Sequence, residues 1–139
     1  MLFRSYPIVY IKLNSSTLDS IVIPKQMNIL PINNTNYQWR IINGATITGA
    51  VWANVASDST VVYNTNTTAT MSGGDILDQG FLTSTVQAGG NMVLNTENIF
   101  EYQLERNSFT TTATTLTLAV ATGAGTSNVA GAMSWEEIT

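Results

Sequence analysis

Short apolar runs separated by turn-forming residues recur along the whole chain, and they constrain the fold more than any other feature. The run Tyr37–Asn43 (YQWRIIN) shows the pattern best, because aromatic and aliphatic residues alternate with polar ones from Tyr37 to Ile41. Successive side chains point to opposite faces of a strand, so this run predicts a strand with one buried face. The turn signal Asn43–Gly44 follows it and predicts a hairpin with Ile47–Trp52.

About ten such runs, with turn signals every 8–12 residues, predict an all-β fold. We find no run with clear helical periodicity, so the predicted architecture is an antiparallel β-sandwich, jelly-roll-like, of short strands. Proline cannot donate a hydrogen bond to a sheet, so we expect Pro24 and Pro31 at strand ends or on sheet edges. They divide this region into two expected strands, Ser20–Ile23 and Met27–Ile32.

The length of 139 residues and the absence of a composition break predict one domain over residues 1–139. Residues 1–30 are also candidates for an N-terminal arm that packs on a partner. The segment Met1–Tyr10 is apolar and carries one charge, which favours it for such an arm.

Charged residues make up only 10% of the chain, while hydrophobic residues make up 44%. The polar surface must therefore come from Thr, Asn, Ser and Gln, and hydroxyl-bearing β-branched residues suit sheets. A surface with so few charges is tolerable where much of it packs against other proteins. The composition is thus the first indication of an assembly component.

Several functional classes are disfavoured by residues that the chain lacks. It contains no Cys and no His, which excludes disulfides, structural zinc sites and triads that use His as a base. Five Lys and Arg residues with a net charge of −4 form no basic patch, so we expect no nucleic-acid binding. No apolar stretch approaches the roughly 18 residues of a membrane span, and no secretory signal is recognisable. We expect no metal, no cofactor and no enzymatic activity.

The stretch Thr70–Phe81 (TMSGGDILDQGF) contains the best candidate for a carboxylate pair. Asp75 and Asp78 are three residues apart, so a regular strand would place them on opposite faces. They would then not converge on a metal or a substrate. We interpret the glycines as turn formers and the aspartates as solvated flanks.

Four segments together resemble a β-sandwich domain of structural proteins in tailed-bacteriophage particles. They are YQWRIINGATITGAVW, STVVYNTNTTATMSGGDILDQGF, YQLERNSFTTTATTLTLAVAT and the terminal NVAGAMSWEEIT. The resemblance covers about residues 35–139. The resemblance implies a non-enzymatic virion protein, most simply a capsid decoration (cement) or head-fibre protein at the particle surface. It further implies contacts with the major capsid protein or other virion proteins, and a homo-oligomer, with a trimer favoured.

The predicted interface residues are apolar side chains near the two ends of the chain: Met1, Leu2, Phe3, Tyr6, Ile8, Tyr10, Trp135 and Ile138. The alternative function is that of a tail-fibre or receptor-binding domain that recognises a host surface glycan. Trp39, Trp52 and Trp135 would then form a stacking platform, although large aromatic residues more often anchor a β core.

Overall fold

A computed structural model describes residues 5–33, 35–66, 68–83, 92–95, 103–109, 111–122 and 128–138. Within these ranges the chain forms eleven strands and no helix, and all strand pairings are antiparallel. The strands are β1 (Tyr6–Leu13), β2 (Ile21–Pro31), β3 (Asn36–Asn43), β4 (Thr46–Thr48), β5 (Ala53–Asn54), β6 (Val61–Asn64), β7 (Thr70–Ser72), β8 (Asp75–Thr83), β9 (Met92–Asn95), β10 (Leu116–Thr122) and β11 (Val129–Ile138). The predicted all-β, antiparallel class is confirmed.

The strands form three layers. Sheet A has six strands in the order β5-β6-β1-β10-β3-β8, and sheet B has three in the order β11-β2-β9. Sheet B packs on one face of sheet A, which we call the front face. The two-stranded β4–β7 ribbon packs on the other, the back face. The result is a β-sandwich with a small additional layer, and its jelly-roll character stays a prediction.

The main hydrophobic core lies between sheet A and sheet B. Alternate residues of β1, β3 and β10 point into it from sheet A, and β2 contributes the opposing side chains. Complete burial of such a side chain stabilises the fold by about 1.5–3 kcal/mol. The central members of the core are Val9, Ile11, Leu13, Val22, Met27, Ile29, Tyr37, Trp39, Ile41, Leu116, Leu118 and Val120.

A smaller core lies on the back face, beneath the β4–β7 ribbon. Ile42 and Ala119 of sheet A are buried there against Ile47 and Met71 of the ribbon. The central strand β10 is therefore covered on both faces, and its first six residues are all buried.

Two local predictions from the sequence are wrong. Strand β2 continues through Pro24 instead of ending there, because Pro24 faces Trp135 next to a register shift in the ladder with β11. A bulge is a position where a missing proline N–H is tolerated. The predicted hairpin at Asn43–Gly44 does not form either, because β4 pairs with β7 and not with β3. Gly44 still turns the chain, with a φ of 76°, and leads it from sheet A to the back face.

The prediction that the N-terminal segment forms an arm is wrong for residues 6–10. These residues belong to β1, which pairs with β10 on one side and with β6 on the other. Tyr10 is 0% exposed, so it cannot contact a partner without removal of a central strand from sheet A. Met1, Leu2 and Phe3 lie outside the described residues.

A close contact between Gly80 and Trp39 joins β8 to the rest of sheet A. The two residues face each other in the ladder, and a Cβ on Gly80 would lie 2.8 Å from Cζ2 of Trp39. The indole ring thus covers the glycine backbone, an arrangement known for glycines in sheets.

We predict that Gly80→Ala lowers the free energy of unfolding by about 1–3 kcal/mol, because the added methyl group displaces a packed indole. Urea unfolding followed by tryptophan fluorescence measures the loss. Gln79→Ala, an exposed neighbour on the same strand, is the matched control and should change stability by less than about 0.5 kcal/mol. Equal stability of Gly80→Ala and the wild-type protein would contradict the contact.

Candidate interface surfaces

The two aspartates of the Thr70–Phe81 stretch share a face of β8, contrary to the prediction. Ile41 faces Asp78 and Ile42 faces Ile76, so Leu77 is an extra residue in the ladder. This β-bulge shifts the alternation by one position, and it brings Asp75 and Asp78 to the front side. Among the described residues, no group of three or more acidic side chains is placed to hold a metal ion.

All three tryptophans are engaged within the fold. Trp39 is only 6% exposed and belongs to the main core. Trp52 stacks edge-on against Tyr10 with a centroid distance of 5.3 Å, and Nζ of Lys12 lies 4.3 Å from the centroid of its ring. Burial raises the pKa of Tyr10 and lowers the pKa of Lys12. These contacts remove Trp39 and Trp52 from any continuous stacking platform.

Trp135, a predicted interface residue, packs against the main core and donates its indole N–H to Oε1 of Glu137 at 3.0 Å. Glu137 also accepts a hydrogen bond from Oγ of Ser59 at 2.6 Å, and from the amide and hydroxyl of Thr60 at 2.9 and 3.2 Å. The carboxylate therefore fastens β11 to the start of β6. Desolvation opposes its charge, but these hydrogen bonds prevail and hold the pKa of Glu137 below its ordinary value.

The other predicted interface residues differ in accessibility. Tyr6 and Ile138 are 45% and 46% exposed, so both are available at the surface. Ile8 is half-buried and packs closely on Gly131. A Cβ added to Gly131 would lie only 2.8 Å from Cγ2 of Ile8. Contact with a partner stays a prediction for Tyr6, Ile138 and the half-buried Trp135.

The outer edge of β8 is one surface that the sequence analysis did not identify. In the described part of the chain, β8 is the last strand of sheet A and pairs only with β3. Phe81 is 70% exposed on it, and Ile76 and Leu77 are also exposed. An unpaired edge with apolar side chains is a template for strand addition by another protein.

A second surface is formed by residues 105–109 and 111–114, which we call the Phe109 loop. Its two sides are joined by backbone hydrogen bonds from Asn107 to Thr112 (2.8 Å) and from Thr114 to Glu105 (2.9 Å). Oδ1 of Asn107 accepts a bond from the amide of Phe109 at 2.9 Å, and the phenyl ring is 96% exposed. In the sequence, Phe109 is recognisable only as a single aromatic residue among Asn, Ser and Thr. That pattern does not show that its ring is exposed.

The base of the Phe109 loop is fixed to both sheets. The amide of Leu104 donates to the carbonyl of Val22 in sheet B at 2.7 Å, and the side chain of Leu104 is buried. Nδ2 of Asn43 in sheet A donates to Oε2 of Glu105 at 3.2 Å. The exposed ring of Phe109 is therefore presented from an anchored position at one end of the sandwich.

No protein-family model matches the chain, and neither a curated protein nor a solved structure is significantly similar to it. Across the described ranges, none of the secondary structure is a helix that would be long and apolar enough to cross a membrane.

We predict that Glu137→Gln destabilises the protein by about 1 kcal/mol at pH 7, since charged hydrogen bonds are replaced by neutral ones at a partly exposed site. The pKa of Glu137 is lower in the folded protein than its ordinary value of 4.5. The stabilisation is therefore fully present above pH 4.5 and is lost as the pH falls through the lowered pKa. The difference between the variant and the wild type should therefore shrink in acid. Thermal unfolding between pH 2 and 7 measures it.

Glu136→Gln is the control for this effect. Glu136 forms an exposed ion pair with Lys25 at 3.3 Å, and such pairs contribute little. If Glu136→Gln were as destabilising at pH 7 as Glu137→Gln, the assigned role of Glu137 would be wrong.

Proposed function

We propose that the protein is a non-enzymatic structural component of a tailed-phage particle, most simply a capsid decoration or head-fibre protein. It would stabilise the particle through contacts with the major capsid protein or another virion protein. The observation that carries the proposal is the exposed ring of Phe109 on an anchored loop. The resemblance of four sequence segments to virion β-sandwich domains supports the particle as its location.

Single exposed apolar residues are common on protein surfaces, but a phenyl ring that is almost fully exposed on an anchored loop offers a large apolar area to a partner. Interfaces are enriched in aromatic residues, and a few of them supply most of the binding energy. Phe109 and Phe81 offer two such rings. The outer edge of β8, which pairs with no further strand among the described residues, adds backbone donors and acceptors beside Phe81. The low charge of the chain lowers the cost of removing its surface from water.

The alternative, a receptor-binding domain for host glycans, has less support from the geometry. Such a domain would use exposed aromatic rings to stack on sugars. Trp39 is buried in the main core, Trp52 covers Tyr10 and Lys12, and Trp135 is bonded to Glu137. A glycan array with the purified protein tests this alternative, and we expect no hits.

We predict that immunogold labelling marks the surface of purified particles of the phage that encodes the chain. The Phe109→Ser variant should reduce binding to particles that lack the protein by at least about 10-fold, which corresponds to a hot-spot loss of 1.4 kcal/mol or more. Co-sedimentation with such particles measures the affinity. Particles that carry no label would overturn the proposal.

Two further variants sharpen the test. Phe81→Lys places a charge on the edge of β8, where it should weaken binding if the edge pairs with a partner strand. Ile32→Ser is the matched control, because Ile32 is exposed beyond the end of β2, at the opposite end of the sandwich from the Phe109 loop. Equal loss of binding in Ile32→Ser and Phe109→Ser would show that the Phe109 loop is not the contact.

A trimer is the oligomer that we propose. Light scattering during size-exclusion chromatography should give three times the mass of one chain for the wild-type protein. If the protein were a monomer at every concentration and still bound particles, the proposed trimer would be wrong, but the proposed decoration role would not be contradicted.

A further inference from the structure

A groove with a volume of about 530 Å³ lies between β11 and the segment that precedes β6. Strand β11 lines it with Met133, Trp135 and Glu137, and the other segment lines it with Val55 and Asp58. Volumes of roughly 300–1,000 Å³ are typical of sites for small ligands, so the groove has room for a side chain and part of its backbone. None of its lining residues belongs to β8 or to the Phe109 loop, and the inference that follows does not depend on the proposed function.

The walls of the groove are partly apolar. Val55 is 46% exposed, and Met133 and Trp135 are half-buried. Met133 and Trp135 pack against the main core and also line the groove, so part of each side chain stays accessible. Removal of such apolar area from water favours binding, and tryptophan is one of the residues that contribute most at interfaces. A ligand that fits the groove must therefore have an apolar portion.

The Trp135 ring is held in place before a ligand arrives. Its indole N–H donates to Oε1 of Glu137 at 3.0 Å, and the same oxygen accepts a bond from the hydroxyl of Ser59 at 2.6 Å. Oε2 of Glu137 accepts bonds from the amide and the hydroxyl of Thr60. Each carboxylate oxygen thus has two donors, which uses the acceptor capacity of the group. Glu137 therefore adds negative charge to the groove and fixes the ring, and a side chain that is already fixed costs less entropy on binding.

Asp58 supplies the free acceptor of the groove. The residue is exposed, and no hydrogen bond or ion pair joins its carboxylate to another of the described residues. In the described part of the chain, the residues that line the groove include no lysine and no arginine. Two carboxylates, those of Asp58 and Glu137, therefore make the groove electronegative. The complementary ligand is a cation that has hydrogen-bond donors and an apolar portion.

We propose that the groove binds an arginine side chain of a partner protein. The planar fork of a guanidinium matches both oxygens of the Asp58 carboxylate. A guanidinium also binds aromatic rings, and its methylene stem packs on apolar surface, which Trp135 and Met133 provide. A lysine offers only a compact ammonium ion, and an apolar side chain would leave Asp58 without a donor. Arginine therefore fits the groove better than either of them.

The test is an NMR titration of the ¹⁵N-labelled full chain at constant ionic strength, in which the indole N–H of Trp135 and the amide of Asp58 are followed. The probes are N-acetyl-arginine methylamide and the corresponding derivatives of lysine and of norleucine, whose side chain is apolar and uncharged. We expect saturable shifts with the arginine derivative and a dissociation constant on the order of millimolar, as is typical of a ligand of few atoms. The lysine derivative should bind at least about 3-fold more weakly, and the norleucine derivative should not saturate the site.

Asp58→Asn should weaken binding of the arginine derivative at least about 3-fold, since a charge-assisted pair at an exposed site is lost. Asp78→Asn is the matched control, because it removes the same charge from β8, which lies at the opposite edge of sheet A from β5 and β6. This control should leave the affinity unchanged. The absence of saturation with the arginine derivative, equal affinity for the lysine or the norleucine derivative, or equal weakening in Asp78→Asn would overturn the proposal.

Discussion

Burial of strand β10 on both faces is the constraint on which the rest of the structure depends. Leu116, Leu118 and Val120 face sheet B, while Thr117, Ala119 and Ala121 face the back of sheet A. The short side chains on that second face let the β4–β7 ribbon approach closely. Strands β1 and β3 flank β10, so the two cores both depend on it. The alternation of large and small residues in β10 thus determines the three-layer arrangement.

The two faces of sheet A differ in how many of their buried polar side chains lack a hydrogen-bond partner. The front face is an apolar core in which Nε1 of Trp39 is the one unpaired polar side-chain atom among the described residues. The back face carries a row of buried polar residues, Asn64, Tyr10 and Thr117, which face one another across β6, β1 and β10. Each has a side-chain atom without a hydrogen-bond partner in the described part of the chain. Such groups lower stability, so the front face must supply most of the stabilising free energy.

The sequence predicted the strands well because alternation is a local property. Tyr37, Trp39 and Ile41 do share the buried face of β3, as the pattern of YQWRIIN indicates. The errors concern events that depend on distant residues. Strand β2 passes through Pro24 because it bulges at that point in its ladder with β11, and the extra residue Leu77 brings Asp75 and Asp78 to the same face of β8. The N-terminal segment shows the same limit, since its apolar character suits a central strand as well as an arm. The Phe109 loop was recognisable as a loop, but its anchoring depends on Val22 and Asn43, which are remote in sequence.

Strand β10 is buried on both faces at the centre of sheet A, while the outer edge of β8 pairs with no further strand among the described residues. Amide hydrogen exchange of the isolated protein tests both features in one experiment, because exchange reports the free energy of local opening residue by residue. We expect the amides of β10 to be among the slowest to exchange, and every second amide of β8, those directed away from β3, to exchange rapidly. Protection along the whole of β8 equal to that of β10 would contradict this expectation, since the edge would then be covered and unavailable to another protein.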